Sequence, residues 1–255
     1  MESIHNQIIE WADEFVPKFN ELSKLYETPF YTQSSLKSIN QHVDLMIIGI
    51  NPKGDGNAVK QLSVDEFLGG NLFWDNRFND KKLITWKFVQ GTRFFLGYDD
   101  FYNPESIDND ERVVWTNLSP FESKGRKDLK KELMTEGLKS TLELIKILKP
   151  KRILLLGIDG FSHIEKIVGK NNKDLEYSTV FSNIKSQVGR INQIPTLCVP
   201  HPSGKWEVSN KFLPTFIFLH KLAEFNKEKN KIKPLKQVIK IMQDEMKMWQ
   251  EKVIV

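Results

Sequence analysis

The segment Leu45-Met46-Ile47-Ile48-Gly49-Ile50-Asn51-Pro52 is a short aliphatic run that stops abruptly at an asparagine and a proline. A second segment, Thr196-Leu197-Cys198-Val199-Pro200-His201-Pro202-Ser203-Gly204, has the same form. Brief apolar runs bounded by proline and glycine are typical of strands buried on both faces of a parallel sheet. Because ligands of open α/β sheets bind beyond the carboxyl ends of such strands, we expect Asn51 and His201 to share one crevice.

Two more apolar runs have the same character, so the sequence predicts four strands, at residues 43–49, 113–118, 152–157 and 195–200. Helical periodicity separates them, whereas residues 171–194 are predicted to be irregular with room for short strands. Strands that alternate with helices indicate an α/β fold. We predict a three-layer αβα sandwich around a short, mainly four-stranded parallel sheet.

The ends of the chain carry amphipathic patterns. Residues 5–25 place apolar side chains at spacings of three and four, which predicts an opening helix. We assign residues 1–226 to one α/β domain and residues 227–255 to a C-terminal amphipathic helical extension. The apolar stripe of this extension must be buried against the protein itself or against a partner, and we favour the protein itself.

Composition sets broad limits on function. The chain has 255 residues, of which 40% are hydrophobic and 27% charged, as in ordinary globular proteins. It contains no apolar stretch of about 20 residues and no basic, apolar leader, so we expect a cytoplasmic location without membrane contact. The net charge of +4 permits binding to a polyanion without requiring it. The lone Cys198 lies inside a predicted strand, which favours a core residue over a nucleophile.

A third motif, Trp115-Thr116-Asn117-Leu118-Ser119-Pro120-Phe121, ends another predicted strand. Taken in order, the Gly-Ile-Asn-Pro, Asn-Leu-Ser-Pro and His-Pro-Ser segments resemble the uracil-DNA glycosylase superfamily over roughly residues 43–225. Asparagine instead of aspartate after the first strand is similar to the single-strand-selective monofunctional and mismatch-specific branches. The resemblance implies a DNA glycosylase that hydrolyses the N-glycosidic bond of a flipped base.

The resemblance also implies two catalytic residues. Asn51 would orient the attacking water, because an amide forms hydrogen bonds but does not act as a base near neutral pH. His201 would donate a hydrogen bond to the carbonyl oxygen of the leaving base, where negative charge accumulates. The simpler alternative for His201 is a loop histidine bound to backbone.

Base recognition is implied for Asn117, Phe67, Gly49 and Pro52. The Asn117 amide can donate to a carbonyl and accept from a ring N–H of uracil, a pattern that cytosine does not match. Its alternative is a turn residue before the proline. Phe67 would stack on the flipped base, with Phe73 as the second choice and ordinary core packing as the alternative for both.

After His201, the residues at the place of the DNA-penetrating loop are Ser203, Gly204, Lys205 and Trp206. Ser203 would bind a phosphate, and Lys205 or Trp206 would fill the gap left by the flipped nucleotide. Glu207 departs from the family pattern, because a carboxylate here would repel phosphate. Gly54-Asp55-Gly56 also departs from the usual Gly-Pro-rich continuation after Asn-Pro.

We therefore predict a monofunctional DNA glycosylase for uracil or a related damaged pyrimidine, acting in base excision repair as a monomer, with DNA as its partner. No metal and no other cofactor is expected, since the five histidines lack metal-ligand spacing. Two alternatives remain open: the same fold acting on another modified base, and a non-catalytic module that binds nucleic acid or a protein. Salt-dependent DNA binding without turnover would indicate the latter.

Overall fold

A computed structural model describes residues 2–54, 58–71, 113–124, 128–170, 172–181, 185–202, 227–228, 231–232 and 234–253. The described residues fall into two compact units. Those up to residue 151 form the first unit, and those from residue 152 onward form the second.

The first unit begins with helix α1, Ile4–Tyr26, where the Ser3 side chain accepts a hydrogen bond from the Asn6 backbone and caps the amino end. The predicted opening helix is thus confirmed. One face of α1 is buried, and it packs against helix α3, Lys131–Leu148. At this contact the Trp11 indole donates a hydrogen bond of 2.9 Å to the Ser140 carbonyl, which satisfies a buried polar group.

The first unit also contains strands β1, Leu45–Gly49, and β2, Val113–Asn117, which pair in parallel. Every residue of β1 is buried, which explains its uninterrupted apolar sequence. The short helix α2, Val64–Leu68, follows β1 in the sequence. The Ser63 and Glu66 side chains form a reciprocal capping box at its start.

The second unit contains β3, Arg152–Leu156; α4, Gly160–Val168; β4, Leu175–Phe181; β5, Lys185–Ile191; and β6, Ile194–Val199. Its strands lie in the order β3-β6-β5-β4. β3 and β6 are parallel, whereas β5 runs antiparallel to both β6 and β4. The turn at residues 192–193, where both residues have positive φ, joins β5 directly to β6.

The C-terminal part of the second unit begins with a small hairpin, β7, Lys227–Glu228, and β8, Lys231–Ile232, followed by helix α5, Leu235–Val253. α5 packs against β4, and its Leu235, Val238 and Met242 side chains are buried. The predicted amphipathic helix is therefore present. These three residues of its apolar stripe are covered within the chain.

The α/β class is confirmed, but the predicted number of strands is wrong. Outside the hairpin the described residues form six strands instead of four, and two strand pairings are antiparallel. All four predicted strands exist; the additional ones are β4 and β5. The three-layer arrangement and the domain boundary at residue 226 stay predictions. Within the described residues, no helix is both long and apolar enough to cross a membrane.

Candidate functional site

The site is built at the carboxyl ends of β1 and β2, both in the first unit. Their parallel register pairs Leu45 with Val113 and, four positions later, Gly49 with Asn117. Parallel strands end at the same edge of a sheet, so the segments that follow them emerge side by side. Asn51 follows β1 by two residues, and Asn117 is the last residue of β2.

The first loop, residues 50–54, and the second loop, residues 118–123, are joined by backbone hydrogen bonds. Ser119 donates to the Ile50 carbonyl at 3.0 Å, and Ser123 donates to the Pro52 carbonyl at 3.1 Å. Gly54 in turn donates to the Ser123 carbonyl at 2.9 Å. Asn51 is therefore held on a segment whose neighbour is fixed by the fold.

The second loop is also anchored on its other side. The Phe121 ring is fully buried, and it packs on Phe19 and Phe30 with ring centroids 5.3 and 5.7 Å apart. The backbone N–H groups of Tyr31 and Glu122 form hydrogen bonds across the same junction, to the carbonyls of Pro120 and Pro29 respectively. An aromatic core thus fixes the position of the loop.

Helix α3 supports the end of β2 through residues spaced four apart. The Thr141 hydroxyl donates to the Asn117 carbonyl at 2.9 Å, and the Leu133 carbonyl accepts from the Ser119 hydroxyl at 3.0 Å. Between them lies Gly137, where a Cβ atom would come within 2.6 Å of the Ser119 Cα. Glycine is therefore required at position 137 for the helix to approach this closely.

Both hydrogens of the Asn51 side-chain amide are used within the first unit. Nδ2 donates to the Pro52 carbonyl and to the Ser123 hydroxyl, at 2.8 Å each. Since the Pro52 carbonyl can only accept, the nitrogen must face it, and this fixes which way the amide is turned. The atom left to accept a hydrogen bond is Oδ1. An attacking water needs an acceptor of this kind.

Asn117 carries a buried side-chain amide. The residue is 7% exposed, and its Nδ2 has no hydrogen-bond partner among the described residues. Its Oδ1 lies over Gly49, where an added Cβ would be only 2.4 Å away. Leaving such a donor unpaired costs about 1–3 kcal/mol, and none of the described residues supplies an acceptor for it.

Two polar residues beside the first loop were missed by sequence analysis. Ser123 binds the Asn51 amide directly, and Glu122 is a carboxylate residue only 5% exposed, with Oε2 3.5 Å from the position of a Cβ on Gly54. Neither belongs to a recognisable motif. Their place beside the first loop arises from the pairing of the two loops, which sequence spacing does not reveal.

Phe67 and Pro52 are buried. The Phe67 side chain is 2% exposed, and its ring contacts Trp11, Phe19 and Phe30 at centroid distances of 5.7–5.9 Å. This environment favours the core-packing alternative, while stacking on a base stays a prediction. Phe73, the second choice, lies outside the described residues.

His201 belongs to the second unit, two residues beyond β6. Loss of water around its ring lowers the pKa of His201 below the usual value, although part of the residue is exposed. The imidazole is therefore neutral at pH 7. The crevice shared with Asn51 stays a prediction, and Ser203, Gly204, Lys205 and Trp206 lie outside the described residues.

Comparison with known protein families settles the ancestry of this chain. The sequence model of the uracil DNA glycosylase superfamily matches residues 36–222, well over half of the chain, including both loops and His201. The chain belongs to the uracil DNA glycosylase superfamily. No curated protein matches it. Members of this superfamily are glycosylase hydrolases that act on DNA and serve in its repair.

Sequence analysis also weighed Cys198 as a nucleophile. Cys198 is buried and donates to the Gly157 carbonyl at 3.1 Å, and burial raises the pKa of its thiol to about 12. It is a core residue, as predicted, because a protonated buried thiol is a poor nucleophile. In the part of the chain that the structure describes, no three His, Cys, Asp or Glu residues cluster as a metal site would require.

Proposed function

We propose that this protein hydrolyses the N-glycosidic bond of uracil, or of a related damaged pyrimidine, after flipping the nucleotide out of DNA. The observation that carries the proposal is the buried Nδ2 of Asn117 at the end of β2, for which the described part of the chain offers no hydrogen-bond partner. A flipped base would bring the missing acceptor. Recognition of this kind suits an enzyme that reads the edge of an extruded base in a closed pocket.

The Asn117 amide matches the edge of uracil in both directions. Nδ2 would donate to a carbonyl of the base, and Oδ1 would accept from the adjacent ring N–H. Cytosine presents an amino donor and a bare ring nitrogen at these places, so it would face donor with donor and acceptor with acceptor. Buried mismatches of this type cost about 1–3 kcal/mol for each unsatisfied group, which favours uracil.

Asn51 would position the nucleophile. In the proposed reaction the water oxygen forms a bond to C1′ of deoxyribose while the bond from C1′ to the base nitrogen breaks. The electron pair leaves with the base, and the proton released by the water finally neutralises it. The Asn51 Oδ1 would accept a hydrogen bond from this water and so hold its oxygen toward C1′. An amide adds no negative charge opposite the cationic sugar, so the reaction would be slower than with a carboxylate.

His201 would stabilise the departing base. A neutral imidazole has one N–H, which would donate to the carbonyl oxygen on which the base accumulates charge. Its lowered pKa supports this form over the imidazolium at neutral pH. In this proposal, Ser203 to Trp206 contact the DNA backbone and groove, and the enzyme releases the base without Schiff-base chemistry.

The test is release of free uracil from an oligonucleotide that contains one deoxyuridine, in single-stranded and duplex form. We expect release by the unmodified protein and a loss of about 10²–10³ in rate for Asn117→Ala, the size usual for removal of one such donor. Thr135→Ala is the control, since its hydroxyl bonds within the exposed surface of α3. If the protein excises another base from a panel of modified duplexes and does not excise uracil, that base is the substrate. DNA binding without excision from any of them would contradict the proposal.

A further inference from the structure

The Ser123 hydroxyl makes a long-range hydrogen bond to the Asn51 side chain. It accepts from Nδ2 at 2.8 Å, although the two residues lie 72 positions apart in sequence. The other hydrogen of Nδ2 bonds to the carbonyl of Pro52, the residue next to Asn51. Among the described residues, the Ser123 bond is therefore the one that ties the Asn51 amide directly to a different segment of the chain.

These two hydrogen bonds constrain the Asn51 amide in different ways. The Pro52 carbonyl determines which end of the amide is nitrogen, and it belongs to the residue adjacent to Asn51. The Ser123 hydroxyl fixes where the amide lies relative to the second loop. Without it, the amide would keep one bond to the described residues, that to the Pro52 carbonyl, and could rotate more widely about its side-chain torsions. Oδ1 would then lose its defined direction.

Ser123 itself is held firmly enough to serve as an anchor. Its backbone N–H donates to the Pro52 carbonyl at 3.1 Å, and its carbonyl accepts from Gly54 at 2.9 Å. Two residues earlier, the buried Phe121 ring fixes the second loop to the aromatic core. The hydroxyl is thus presented to Asn51 by backbone that is bonded on both sides.

We infer that Ser123 is a positioning residue for Asn51, one that sets the direction in which Oδ1 holds the attacking water. This inference rests on the proposed glycosylase function. Ser123 acts through Asn51, so its removal should slow the chemical step without weakening DNA binding. A displacement of about 1 Å at a reacting group can cost up to 10²-fold in rate, and we expect a loss of about 10- to 100-fold for Ser123→Ala.

The experiment measures single-turnover uracil release by four variants: Ser123→Ala, Ser123→Thr, Asn51→Ala and the double variant Ser123→Ala with Asn51→Ala. Ser123→Thr keeps the hydroxyl, so its rate should stay within about 3-fold of the unmodified protein. The enzyme concentration that gives half the maximal single-turnover rate reports DNA binding, and Ser123→Ala should leave it unchanged. In the Asn51→Ala background, Ser123→Ala should cause no further loss, because the group it positions is gone.

Melting temperatures of all variants establish that each is folded at the assay temperature. If Ser123→Ala slows excision equally with and without Asn51, the hydroxyl acts on structure in general and the inference is overturned. A Ser123→Ala protein as fast as the unmodified one would also overturn it. If the unmodified protein itself excises nothing from any substrate, the proposed function fails, and this role fails with it.

Discussion

Replacement of Gly49 by alanine should destabilise the protein through one contact, with the Asn117 side chain. The new Cβ would lie 2.4 Å from the Asn117 Oδ1, about 1 Å inside the 3.4 Å at which ordinary contact begins. Overpacking of this kind typically costs about 1–3 kcal/mol. For a domain of 150–250 residues, that corresponds to a lowering of the melting temperature by about 2–12 °C.

A second substitution should remove this penalty. In Asn117→Ala the amide is absent, and the nearest remaining atom of the three around the new Cβ is the Thr116 carbonyl oxygen at 3.9 Å. Gly49 does not have positive φ, so alanine fits its backbone. There Gly49→Ala should be neutral or stabilise by about 0.4–1 kcal/mol, because alanine reduces the freedom of the unfolded chain.

Urea denaturation of the four proteins in this cycle measures the interaction. Gly54→Ala is the matched control, since a Cβ there would first meet Ser123 at the ordinary distance of 3.4 Å. Destabilisation by Gly49→Ala of the same size in both backgrounds would refute the placement of the Asn117 amide. The result does not depend on enzymatic activity, and it therefore tests the geometry of the site alone.

Three further predictions concern other parts of the chain. The pKa of His201, measured by NMR titration of its ring proton, should lie below 6.5, because the folded protein favours the neutral ring. The stability that the folded protein gains from keeping this ring neutral is complete above pH 6.5. It is lost as the pH falls through the lowered pKa. A titration at or above 6.5 would contradict the desolvation of the ring. Cys198 should resist a thiol reagent at pH 8 in the folded protein and react in denaturant, because it is buried with its pKa raised to about 12; fast reaction under native conditions would count against its burial. Met242→Ala should lower the free energy of unfolding by about 2–5 kcal/mol, since this side chain of α5 is fully buried. As a control, Lys247→Ala at an exposed position of α5 should change it by less than about 0.5 kcal/mol. Equal effects of the two substitutions would contradict the packing of α5.

The strands that the sequence predicted share one property: each contains at least three consecutive apolar residues. β1 is buried along its whole length, and β3 and β6 are buried except at their first residues. The missed strand β5 is also buried beyond its first residue, but it contains Ser186, Gln187 and Arg190. Polar side chains buried by tertiary context leave no periodic signal, so sequence patterns could not identify this strand.

The candidate site shows the same division. Asn51 and Asn117 were predictable because each stands at or just beyond the end of a strand, in a motif of the superfamily. The role of Ser123 depends on a register between two loops that the sequence does not encode locally. Phe67 illustrates the opposite difficulty. Its motif predicted stacking on a base, whereas the rings of Trp11, Phe19 and Phe30, all distant in sequence, pack against it. A local sequence motif identifies a side chain, but it does not show which side chains pack against it in the fold.

Because backbone hydrogen bonds join residues 50–54 to residues 118–123, we expect the two segments to evolve as one unit. A substitution that shifts one of them displaces the other, so relatives that differ in the first should carry compensating differences in the second. An engineer who grafts Asn51 and Pro52 onto a foreign scaffold would have to carry residues 118–123 along with them. Directed evolution of this enzyme should accordingly randomise both stretches together.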